Sequence, residues 1–221
     1  MQDSEVRQLD RGNRVQEFAS AHASLFPAHS HAAEVVANHS NAVAEVKHQA
    51  VRQDAAALDR QESTAQKDAA IKSLVELMRP VNQTARSMDK QQPGFADQFR
   101  MPRYSDQAIL NRAGAFIAEA APVAVEFTKR GLPESFVADM QSAVERVVAA
   151  EARQSVALAN QTEATAALRL ALKKEQDAMR ELNAIMRNQL RNDPALLAAW
   201  ESASRIESAP KKKTPTTKPT A

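Results

Sequence analysis

Apolar side chains recur every seven residues through most of this chain, and the repeat fails in the same place twice. From Ala28 to Met88 one set of positions reads Val36, Val43, Ala50, Ala57, Thr64, Ile71 and Met78. The companion set reads Ala32, His39, Val46, Gln53, Arg60, Lys67, Leu74 and Val81. The ends of both sets are apolar and the middle is not. The pattern predicts one helix over about 28–88, with Pro80 as a bend. A second long run, from Pro133 to about Arg191, has no Gly or Pro inside it. Its register is Val137, Val144, Glu151, Leu158, Thr165, Leu172, Met179 and Met186, with Met140, Val147, Gln154, Gln161, Leu168, Glu175, Leu182 and Gln189. The polar members again gather at mid-length. At about 1.5 Å per residue such a helix is roughly 90 Å long and needs a partner of similar length.

Shorter elements fill the rest. Residues 3–26 predict a first helix with Val6, Leu9, Val15, Phe18, Leu25 and Phe26 near one face, weakened by Gly12-Asn13 and ended or kinked by Pro27. Residues 89–104 form a loop whose Phe95, Phe99 and Met101 dock on a core. Ser105 caps a third helix over about 105–130, bent at Pro122, in which Gly114 is placed for close helix approach. Lys129-Arg130-Gly131 closes that helix, and Pro133 sits in the first turn of the long one. Asp193 caps a last helix over about 194–207, and residues 208–221 are read as a disordered basic tail.

The aromatic residues suggest how these pieces assemble. None lies between residues 27 and 94 or between 137 and 199. Rings build wide cores, and two-helix seams use small and aliphatic side chains. The expectation is all-α: a single elongated domain, 1–207, of long antiparallel coiled-coil helices with three-helix bundles at the ends. Residues pair between the long helices where their numbers sum to about 220. The alternative is a compact four-helix bundle, made by breaking the helix at Glu62-Ser63-Thr64 with Ser63 as a new cap.

Composition narrows the chemistry. The chain has no cysteine, which excludes disulfides, thiolate metal sites and cysteine nucleophiles. The net charge of +2 comes from the tail lysines Lys211, Lys212, Lys213 and Lys218, and the remainder is close to neutral. A near-neutral body gives no reason for broad nucleic-acid binding, and four tail lysines offer weak, salt-sensitive contact at most. The N-terminus lacks a signal-peptide pattern, and no long apolar run stands out, so a cytoplasmic location without a membrane span is expected.

All five histidines fall between His22 and His48. Glu45 and His48 form one Glu-x-x-His, half of a di-iron carboxylate pattern, but no second copy exists to complete it. These two are the weak metal candidates, and no cofactor is expected. His22, His29 and His39 fall on the apolar stripe, where protonation would oppose packing. Glu151 and Glu175 occupy seam positions and are expected to pair with Arg or Lys of the other long helix. No phosphate-binding glycine loop, nucleophile elbow, zincin or dinucleotide motif occurs.

Three segments carry a resemblance: Phe99-Arg100-Met101-Pro102 followed by Ser105-Asp106-Gln107-Ala108; Phe127-Thr128-Lys129-Arg130-Gly131-Leu132-Pro133-Glu134-Ser135-Phe136; and Asp193 to Glu201. Together they resemble a family of uncharacterised all-helical bacterial proteins of about this length, over residues 70–207. The resemblance implies a bacterial source and brings no catalytic or binding residue. The functional expectation is a non-enzymatic helical scaffold or protein-interaction module that self-associates as a homodimer. The alternatives are nucleic-acid association through the tail lysines and a metal-binding bundle around Glu45 and His48.

Overall fold

A computed structural model describes residues 3–102 and 105–207. The tail lysines Lys211, Lys212, Lys213 and Lys218, and the disorder expected of that tail, lie outside the described residues. The fold is all-α, and no strand occurs among the described residues. Among the described residues six α-helices follow in order: α1 (Asp3–Ala21), α2 (His31–Met88), α3 (Asp106–Ala120), α4 (Ala124–Thr128), α5 (Phe136–Gln189) and α6 (Pro194–Ser204). Short 3-10 turns occupy Ala23–Leu25, Phe95–Phe99 and Ala121–Val123.

Local chemistry sets these boundaries. α2 begins at residue 31 rather than 28 because Ser30 caps it, its Oγ accepting from the Ala33 N–H at 3.1 Å. The Ser105 cap is present and accepts from the Ala108 N–H at 3.3 Å. Asp193 caps α6 through the Leu196 N–H at 3.0 Å. Pro122 replaces one α-helical turn by a 3-10 turn between α3 and α4. Gly131 ends that region at φ 94°, a conformation open to a residue without Cβ. The long helix starts later than Pro133. That residue opens a turn closed by the Phe136 N–H at 3.1 Å, and the α ladder begins from the Ser135 carbonyl.

The break expected in the alternative bundle does not occur, since α2 is continuous from His31 to Met88. Ser63 is fully buried and donates to the Arg60 carbonyl at 2.9 Å, and Thr64 does the same at 2.9 Å. Hydroxyls turned back onto their own helix cannot cap a new one.

Contacts divide the chain into two units: Met1–Ala55 with Glu163–Ala221, and Ala56–Thr162. α2 and α5 contribute to both. In the first unit α1 and α6 pack on them, and Val15, Phe18, Val35, Met179, Leu182, Met186 and Trp200 form the core. Trp200 meets Phe18 edge-on at 5.3 Å. A smaller cluster joins Val46, Ala50, Leu168 and Leu172, with Leu9 against it. In the second unit α3 and α4 cover Leu74, Met78, Met140 and Val147, and Phe95, Phe99, Phe116, Phe127 and Phe136 fill the space between. Arg112 fastens the Phe95–Phe99 turn by donating to the carbonyls of Asp97, Gln98 and Arg100 at 2.8, 2.9 and 2.9 Å.

One sequence expectation, the seam at mid-length, is corrected by the packing. Within the polar stretch Gln49 is buried beside the predicted Ala50, and further on the buried positions are Ser63 on α2 and Ala157 and Ala164 on α5, each one place before the predicted Thr64, Leu158 and Thr165. Leu158 is 49% exposed, because small side chains in the preceding position let the helices meet there. The stretch Asp106–Thr128 contains an 18-residue window of mean hydropathy 1.3, 22% of it buried, which is long and apolar enough to cross a membrane by length and composition alone.

Candidate functional site

α1 carries an unusual stripe. Its buried residues are Gln8, Arg11, Gly12, Val15, Phe18 and Ala19, a helical face that is polar in its first half and apolar in its second. The polar half lies on Glu175 of α5. The Arg11 Nη2 donates to both carboxylate oxygens, at 2.9 and 2.6 Å. Gln8 Nε2 donates to Oε2 at 2.7 Å and to the Leu172 carbonyl at 2.8 Å. His39 of α2 completes the ring of donors, its Nε2 lying 3.3 Å from Oε1. Gln176 in turn donates to the Gln8 carbonyl oxygen at 2.8 Å. His39 and Glu175 are each only 1% exposed, so this is an ion cluster inside the unit.

Gly12 makes the approach possible. A Cβ there would lie 2.8 Å from the Val43 Cγ2 and 3.7 Å from the Glu175 Oε1. The residue expected to weaken the first helix is therefore a contact point. Gly114 shows the reverse: a Cβ there would meet nothing within 4 Å.

Burial pushes the Glu175 carboxyl towards its neutral form. The hydrogen bond from His39, the Arg11 charge and the hydrogen bonds from Gln8 and Arg11 outweigh that and hold it below the usual carboxylate range. A carboxylate kept ionised and saturated with donors is a poor proton acceptor. Its chemistry is to orient α1: any rotation or slide of that helix strands a buried charge.

The sequence expectation for Glu175 is corrected in its partner, since the arginine comes from α1 and α2 supplies a histidine. Glu151 is half-buried in the second unit. The histidines do not converge. His22 packs on the Phe18 ring at 4.5 Å, His31 bonds Glu181 at 2.8 Å, and His29 is exposed between α1 and α2. Glu45 and His48 are both exposed on α2, and the Glu45 Oε1 accepts from Gln49 at 2.6 Å. Among the described residues no group of three or more His, Asp or Glu is placed to hold a metal ion.

Gln8 and Arg11 escaped the sequence reading because the stripe on α1 was followed through apolar residues only. Their spacing to Val15 and Phe18 was the available signal. Comparison of the chain with protein-family models, curated proteins and solved structures finds no match.

Proposed function

We propose that the protein is a non-enzymatic helical scaffold, a protein-interaction module that meets its partner through the outward face of α3 and the turn after it. Gly114 carries the reading. A glycine inside a helix costs roughly 0.5–1 kcal/mol relative to alanine, and nothing in the second unit uses the space it leaves. Around it Asn111, Ala118, Ala121 and Val125 follow at spacings of three and four residues, all exposed and none charged. Small residues on one stripe allow a second helix to come close. The partner this suits is another helix with a small, uncharged face, and a second copy of the same chain supplies one.

Light scattering on the full chain tests this reading. Association predicts a species of twice 24.2 kDa that Ala118→Glu returns to 24.2 kDa. A single 24.2 kDa species at every concentration rejects the second copy as partner. Binding of this face to lipid vesicles, abolished by the same substitution, would reassign it to a membrane surface.

A further inference from the structure

Beside Arg11 the first unit opens a cleft of about 150 Å³ lined by Arg11, Gln176, Met179, Arg180, Asn183 and Ile206. No acidic side chain lines it. Each polar group can be followed to its partner, and what remains is mostly donors. The Trp200 Nε1–H donates to the Asn183 Oδ1 at 3.0 Å, which fixes the orientation of that amide and leaves its NH2 free to donate. Arg11 is committed to Glu175 through Nη2, and its Nε is enclosed and out of reach of a solute. Arg180 bonds Asp177 at 2.8 Å through one nitrogen and keeps the others. Gln176 gives one amide hydrogen to the Gln8 side-chain oxygen and keeps its carbonyl.

The surrounding carboxylates are already matched. Glu175 lies behind Arg11, Asp177 is held by Arg180, and Glu207 pairs with Arg14 at 3.4 Å. Arg14 also donates to the Arg205 carbonyl at 2.6 Å. The cleft therefore has the Arg180 guanidinium and the Asn183 amide with hydrogens to give, beside the ion-paired Arg11, and one carbonyl to receive. Its volume equals about five waters at roughly 30 Å³ each. That is well below the roughly 300–1,000 Å³ of pockets for larger ligands, so nucleotide-sized molecules do not fit.

We propose that this cleft binds one small free oxyanion of phosphate size. Guanidinium and amide N–H groups are the donors that suit such an ion, and the Gln176 carbonyl can accept from a protonated phosphate oxygen. The site belongs to the first unit alone and is independent of the α3 face proposed above.

The test is an NMR titration of the ¹⁵N-labelled full chain with inorganic phosphate, at constant ionic strength set with chloride, with acetate as a second arm. Trp200 is the one tryptophan, so its indole N–H is a unique reporter beside the Asn183 amide. Saturable shifts of both with phosphate, and weaker ones with acetate, are expected. Asn183→Asp keeps an acceptor for Trp200 and places a negative charge in the cleft, and it should abolish saturation. Arg180→Gln, at an exposed position, should weaken binding about two- to fivefold. The proposal fails if phosphate gives no saturable shift, if acetate saturates at lower concentration than phosphate, or if N183D titrates like the unsubstituted chain.

Discussion

The two units solve the same packing problem with opposite materials. Each lays short helices on a stretch of α2 and α5. The second fills its core with five phenylalanines, and rings such as Phe99 and Phe127 meet edge-on at 5.4 Å. The first has Phe18 and Trp200 at α6 and then continues under α1 with Gln8, Arg11, His39 and Glu175. An apolar core tolerates some slippage, because one ring contact can replace another. A buried carboxylate with four specific donor contacts does not, so the polar half of α1 specifies one register. Both units have apolar cores, but in the first the register of α1 also hangs on one charge.

Removing that charge is the harshest way to break the comparison. Glu175→Ala leaves Arg11 buried without its counter-ion and should cost about 3–5 kcal/mol. Phe99→Ala in the other unit should cost a similar 3–5 kcal/mol by opening a cavity. The two losses differ in whether they can be repaired. Arg11→Met combined with Glu175→Leu should recover most of the stability, since the desolvation cost of both ions disappears together. Urea unfolding followed by Trp200 fluorescence reads the first unit directly. A double variant as unstable as E175A would show that the cluster is more than a matched pair.

Acid should act on the first unit before the second. The Glu175 pKa is lowered in the folded state, so its contribution is present above the unfolded value of about 4.3 and is lost as pH falls through the lower folded value. In the second unit the carboxyl held low, Glu126 beside Lys129 and Arg130, is open to solvent, and Lys67 adds a sensitivity of the opposite sign. The hydrogen bond from Lys67 to Asp106, at 2.8 Å, raises the Lys67 pKa. Its small contribution is present below the unfolded value of about 10.4 and is lost as pH rises through the higher folded one. Trp200 fluorescence that changes between pH 4 and 2 while the phenylalanine NMR signals of the second unit hold would bear out the difference; simultaneous loss would contradict it.

Close approach and loop fastening come next in size. Gly12→Ala places a methyl 2.8 Å from Val43 and should cost about 1–3 kcal/mol through strain at the α1 contact. Arg112→Ala removes the donor to three carbonyls of the Phe95–Phe99 region, with a loss of about 1–2 kcal/mol since water can reach part of the site. Thermal unfolding separates the two, because only G12A should shift the Trp200 transition.

These residues also mark the limit of reading the chain as a string. Caps at Ser105 and Asp193, the turn at Gly131 and the all-helical character of the described residues follow from local rules, and local rules found them. The buried cluster did not follow, because Arg11 and Glu175 are 164 positions apart and each looks like a solvated charge until its partner is known. The seam shifted by one position for a related reason. Leu158 is the most apolar choice locally, but Ala157 and Ala164 are smaller, and helix approach at mid-length rewards size over hydrophobicity. Gly12 and Gly114 exchanged roles because a glycine says only that space is needed, not on whose behalf.

Gly114 offers the smallest effect and the sharpest sign. Gly114→Ala should raise the stability of the second unit by about 0.5–1 kcal/mol, since the added methyl meets nothing and the helix gains propensity. If the face serves a partner, the same methyl stands where the second helix must come closest, so association should weaken as stability rises. Measured together by urea unfolding and light scattering, opposite movements would tie the glycine to the interface. A gain in stability with association unchanged would place the contact elsewhere on the molecule, and the exposed stripe from Asn111 to Val125 would lose its claim.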